Sequence, residues 1–151
     1  MRNEPKDYTR TIDIAAPIEP TFGAIATLSG LRNWWTTHVS GSDVPNGIIR
    51  LEFEGVDEHI DLQVITLRSP TEIAWSVIEH SSLSEWAGTI IRFRLSSSGP
   101  GSCRLDFHHQ GLSPRLACYG DCKLGWDHFL ASLKASAEVG KGRPFGLRQA
   151  S

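Results

Sequence analysis

Residues 113–138 carry one apolar stripe, and it limits what this chain can fold into. Tyr119, Cys122, Trp126, Phe129, Leu130, Leu133 and Ala137 recur at three- and four-residue spacing, which places them on one face of an α-helix. Asp121, Lys123, Asp127, His128, Ser132 and Lys134 fall largely away from that face. Ser113 is a good cap, and Pro114 takes the first helical position, where a missing N–H costs nothing. Gly140, Gly142 and Pro144 end the helix. At about 1.5 Å per residue it would run roughly 35 Å, comparable to the width of a small domain. Such a stripe needs an equally long partner.

The preceding chain supplies one. Residues 8–16 alternate and are rich in β-branched side chains, so they read as a first strand. Pro17 opens a helix whose buried face is Ile18, Phe22, Ile25 and Leu28, and Ser29-Gly30 breaks it. A second short helix spans residues 31–35, and residues 41–47 form a loop. Strands follow at 48–54, 59–67, 72–79, 87–96 and 103–109, separated by polar turns. Short turns imply antiparallel pairing, and alternation implies one dry face. The expected fold is α+β: a curved antiparallel sheet of about six strands wrapped around the long C-terminal helix, with two short helices after the first strand. Residues 1–151 read as a single domain, with 1–7 and 145–151 as loose tails.

Charge excludes some partners. The formal net charge is -2, which marks neither a nucleic-acid nor an anionic-membrane partner. No apolar run reaches the roughly 18 residues of a membrane span, and the first ten residues lack the apolar core of a signal peptide. The expected location is cytoplasmic. Three cysteines, Cys103, Cys118 and Cys122, make an odd count and argue against a disulfide framework. Cys118 and Cys122 share a helical face, but no third ligand sits at zinc spacing, so no metal site is assigned. Asp57, Glu58, His59 and Asp61 read as a solvated turn for the same reason. Nucleotide, hydrolase and zinc-protease signatures are missing, so no cofactor is expected and no catalytic residue is assigned.

Five segments then resemble a known family: residues 12–17 with the helix after them, 31–36, 85–95, 105–112 and 125–133. Their order is similar to the helix-grip fold of the START-like, or SRPBCC, superfamily. Within it the chain resembles the bacterial branch of heat-shock ATPase activator homologues, often labelled polyketide-cyclase-like. The resemblance covers residues 8–144 and implies a cavity between the long helix and the curved sheet, commonly used for an apolar small molecule.

Candidate cavity residues are Trp35, Trp75, Phe93, Phe107, His109, Tyr119, Cys122 and Trp126. In the family the region after Trp35 often flanks the cavity mouth, and Trp35 is preferred to Trp34 because adjacent helical residues face different ways. His109 shares its face with Cys103, Leu105 and Phe107. It reads either as a satisfied core histidine or as a polar anchor. A His109–Tyr119 pair would suit a carbonyl or an enolate. Arg92, Arg94, Arg104, Asp106 and His108 lie on the opposite, wet face, and the strand end at Glu79-His80 reads as exposed, although the cavity implied by the resemblance could reach it. The first expectation is a protein that binds an apolar or amphipathic small molecule, lipid-like or aromatic. The alternative is a cyclase, aromatase or dehydratase acting on a polyketide-like substrate. A chaperone-binding or regulatory module is the third, and a homodimer is a further option.

Overall fold

The computed structural model describes residues 7–145. In chain order the elements are β1 (Tyr8–Ile14), α1 (Ile18–Ala26), α2 (Leu28–Trp34), β2 (His38–Gly41), β3 (Ile48–Phe53), β4 (Val56–Arg68), β5 (Glu72–His80), β6 (Ile90–Gly99), β7 (Ser102–Gln110) and α3 (Tyr119–Val139). The strands form one curved antiparallel sheet in the order β1-β7-β6-β5-β4-β3-β2. The stripe of α3 lies on its dry face, with Cys122, Trp126, Leu130 and Leu133 buried. The opposite face carries ion pairs, including Arg92 to Glu72 at 2.7 Å and Arg50 to Asp61 at 2.8 Å. Arg92 holds the Glu72 carboxyl below the usual carboxylate range.

Several local features differ from the sequence expectation. The sheet has seven strands because β2 pairs with β3, Val39 opposite Leu51. Only Val39 of β2 is buried, so periodicity gave no signal and ladder pairing forms the strand. The helix break falls at Thr27, and Ser29-Gly30 lies inside α2. Thr27 is extended, and its Oγ1 accepts the Gly30 N–H at 3.0 Å. Gly30 serves close packing, since a Cβ there would stand 2.5 Å from the Ala24 carbonyl oxygen.

The long helix begins at Tyr119, six residues after Ser113, and residues 113–118 form turns. Its cap is remote: the Glu85 carboxylate accepts the N–H groups of Ala117 and Cys118 at 3.5 and 3.4 Å. An anion is favourable at that end of a helix. Lastly, Phe145 is anchored where a loose tail was expected. Its N–H donates to the Trp35 carbonyl at 2.8 Å, and its ring packs edge-on against Phe53.

Side chains lock α3 in place. Asp127 accepts from the Tyr8 hydroxyl and from Arg10. Ser132, expected on the solvent side, is buried; its hydroxyl donates to the Trp34 carbonyl at 2.8 Å and accepts the Arg143 N–H at 2.6 Å.

Candidate functional site

The space under the middle of α3 is filled by aromatic rings. Trp35 lies 5.9 Å from Trp75 and 5.1 Å from Trp126, and Phe107 lies 4.6 Å from Trp126 and 5.0 Å from Phe93. Trp34, which the spacing argument turned away from Trp35, stacks on it at 5.5 Å with both rings buried. The row continues from Trp126 to Trp86 at 6.1 Å and from Trp86 to His80 at 5.0 Å. There it reaches a cleft.

His109 belongs to the filled part. It is fully buried, and both ring nitrogens are engaged. The Trp126 indole N–H donates to Nδ1 at 3.0 Å. An indole N–H only donates, so Nδ1 accepts and the proton sits on Nε2. Nε2 donates to Thr89 Oγ1 at 2.8 Å, and the Thr89 hydroxyl donates to the Trp86 carbonyl at 2.6 Å. Burial pushes the His109 pKa down to about 3. The ring is a neutral strut with no proton to exchange near pH 7.

The cleft lies at one end of the sheet and has a volume of about 270 Å³. Trp35, Trp86, Trp126 and Phe129 form its floor and helix side, with Cys122 and Gly125. Phe53, Val56 and Ile60 of the β3–β4 hairpin form the facing wall, with Phe145. Val56 is 49% exposed and Phe145 37%, so this wall meets solvent at the mouth. The polar lining is Glu58, His80 and Asp121.

An irregular sheet makes this opening. Asp61 of β4 faces Glu79, while the next residue, Leu62, faces Val77. Ile78 is therefore an extra residue on β5, a β-bulge. Before it Ile73, Trp75 and Val77 point inward; after it Ile78 and Glu79 are exposed and His80 turns in. Paired residues on β5 and β6 end at Ser76 and Ile90. The chain between the strands carries the 3₁₀ turn Ser84–Trp86, which closes the floor with Trp86.

His80 differs from His109 in one respect that matters. Its Nδ1 accepts the backbone N–H groups of Ser82 and Leu83 at 3.2 and 3.0 Å, so the neutral ring carries its proton on Nε2. A Glu58 oxygen stands 3.9 Å from that nitrogen, beyond a hydrogen bond. The side chain is only 3% exposed, and burial lowers its pKa while Glu58 opposes the shift. An oriented N–H donor thus faces an apolar cleft.

Of the residues expected to line a cavity, Trp35, Cys122 and Trp126 reach the cleft. Trp75, Phe93, Phe107 and His109 lie behind it in the packed floor. Tyr119 is partly buried against the core and does not line the cleft. No His109–Tyr119 bond forms, because Thr89 and Trp126 occupy the ring. Trp86, Phe53, Glu58 and Phe145, which also line the cleft, are not among the expected residues, and His80 was given only as a strand end that the cavity could reach. The strand end at His80 read as exposed because a period of two runs straight through a bulge. The Cys122 thiol accepts the Trp86 indole N–H at 3.2 Å, and burial pushes its pKa up to about 12, so it is a packing group and not a nucleophile. On the outer face His59, Asp61 and Glu79 place ligand atoms within 4.8 Å of one another. Arg50 already grips both Asp61 oxygens, at 2.8 and 2.9 Å.

The family model for activator of Hsp90 ATPase homolog 1-like proteins matches residues 15–138. The chain belongs to this family. Its SRPBCC-type fold recurs in solved structures. The Aha1 dimer from Colwellia psychrerythraea is 29% identical, with a TM-score of 0.78 over 91% of this chain and 99% of that one. CalU16 from Micromonospora echinospora is 16% identical, with a TM-score of 0.67 over 84% of this chain and 71% of that one. DynU16, a protein of the dynemicin biosynthetic locus, is 18% identical, with a TM-score of 0.70 over 96% of this chain and 52% of that one. No curated protein sequence matches the chain. No helix among the described residues is long and apolar enough to cross a membrane.

Proposed function

We propose that this protein binds an apolar or aromatic small molecule in the cleft beside Trp86, and that the His80 Nε2–H donates to an oxygen of that molecule. The observation that carries the reading is the His80 Nε2–H, which lines an aromatic-walled cleft 3.9 Å from a Glu58 oxygen, beyond hydrogen-bond distance. Small-molecule sites combine apolar walls with a few placed polar groups. The Nε2–H is open to the solvent of the cleft, and a ligand oxygen can take the place of that water.

Phenylbutanol is a suitable probe, with an aromatic body and one oxygen. It is expected to raise the melting temperature of the native protein, because a ligand that binds only the folded state stabilises it. Gly125→Leu supplies the control. Gly125 lines the cleft, and a Cβ there meets nothing within 4 Å, so the new side chain grows into the cleft. The variant is expected to fold and to lose the response. An equal response in the variant, or none in the native protein, contradicts the reading.

The second reading is a cyclase, aromatase or dehydratase, favoured by the likeness to the dynemicin-locus protein. His109 is unsuited to acid–base work, so a proton-transfer role falls to His80. A homodimer, the form of the Colwellia protein, and the chaperone partner suggested by the family description are compatible with either reading.

A further inference from the structure

We infer that the cleft selects ligands carrying a positively charged nitrogen over their neutral and anionic counterparts. This rests on the reading above, that the cleft takes small apolar bodies, and adds the charge of the group at its mouth.

Among the described residues, the charged side chains on the cleft wall are Glu58 and Asp121, and no lysine or arginine lines it. They approach from opposite sides, Glu58 from β4 and Asp121 from the first turn of α3. Among the described residues Asp121 makes no ion pair, and Glu58 has only His80, at 3.9 Å. Two carboxylates without a cation thus overlook one apolar space. By contrast, Asp61 is paired with Arg50, Glu72 with Arg92 and Asp127 with Arg10.

The walls add to this preference. Trp35, Trp86, Trp126 and Phe129 line the cleft, and aromatic faces carry a negative quadrupole that attracts ammonium groups. A carboxylate ligand meets like charge from Glu58 and Asp121 and repulsion from the ring faces. A neutral ligand keeps the apolar contact and gains no charge interaction. The His80 N–H and the Glu58 carboxylate stand 3.9 Å apart on the same wall, so a hydroxyl on the ligand that faces both can accept from one and donate to the other.

The test uses three probes with one body: phenylbutyltrimethylammonium, phenylbutanol and phenylbutanoate, titrated against native protein by tryptophan fluorescence and calorimetry. The ammonium is expected to bind about tenfold tighter than the alcohol, and the alcohol about tenfold tighter than the carboxylate. In about 1 M salt the ammonium advantage shrinks, because partly exposed charges are screened. The Glu58→Gln, Asp121→Asn double variant removes two charges at the mouth and is expected to lose most of the ammonium's advantage, measured against the alcohol in the same variant. If ammonium and alcohol bind equally, or the carboxylate binds tightest, the charge selection is wrong and the binding reading stands. If the double variant keeps the ammonium advantage, the assignment to these carboxylates is wrong. If none of the three binds, the cleft-binding reading falls and this inference falls with it.

Discussion

His109 and His80 point from the same sheet toward the same helix, and they differ in what their second nitrogen meets. His109 sits where the sheet is regular, opposite Tyr8 and Ile91, in a β1–β7 register without shifts and a β6–β7 register that runs unbroken from Ile90 to Ser97. Trp126 and Thr89 take both of its nitrogens. His80 sits past a bulge, where β5 has left β6. Backbone N–H groups take one nitrogen and the other faces the cleft. Regular pairing lets neighbouring strands fill the space under α3 with rings, whereas irregular pairing leaves the end unfilled. Burial alone therefore does not mark the histidine with a role; an unmatched hydrogen-bonding atom does.

The largest expected effect tests the filled region. Trp126→Ala removes a ring packed against Trp35, Phe107 and Trp86 and leaves His109 Nδ1 without its donor. It should lower stability by about 3–5 kcal/mol in urea unfolding. A loss near zero would mean the centre is not packed as described.

Acid comes next. The folded-state pKa of His109 lies near 3, below the roughly 6.5 of an unfolded histidine. The unfolded chain therefore takes up the proton first. Stability from this group is complete above about pH 6.5 and falls by up to about 1.4 kcal/mol per pH unit on the way down to pH 3. His80, also shifted down by burial, adds in the same direction. Unfolding curves at neutral pH and near pH 5 should separate for the native protein and draw together for His109→Gln.

His80→Asn sharpens the contrast. An Asn oxygen can replace Nδ1 as acceptor for Ser82 and Leu83, while the Nε2–H is lost. Stability should change by less than about 1 kcal/mol, and phenylbutanol affinity should fall about three- to tenfold, the range of one hydrogen bond. The smallest effect is that of Gly125→Leu on stability, an expected gain of about 0.5–1 kcal/mol from helix propensity, seen as a slightly higher melting temperature without ligand.

The architecture was legible in the sequence because two periods carry it. The three-and-four spacing of Cys122, Trp126, Leu130 and Leu133 places α3, and alternation in β6 and β7 places its partners. The cleft was less legible because it depends on departures from period. The extra residue at Ile78 turns His80 inward, and nothing local to Glu79-His80 announces a bulge. Glu85 caps α3 from more than thirty residues away, so Ser113 looked like the start. Trp35, Cys122 and Trp126 were found because they lie on regular helical faces. Trp86 was overlooked because it sits in a turn, where no period applies.

The account turns on the cleft being the binding space and the centre being full. The five tryptophans report on both through their indole N–H signals in a ¹⁵N-correlated NMR spectrum during titration with phenylbutanol. Trp35, Trp86 and Trp126 line the cleft, while Trp34 and Trp75 are sealed in the core. The predicted result is that the signals of Trp86, Trp126 and Trp35 move and those of Trp34 and Trp75 stay. Saturable shifts centred on Trp75 and Trp34, with Trp86 unmoved, would place the ligand under the sheet and contradict the account.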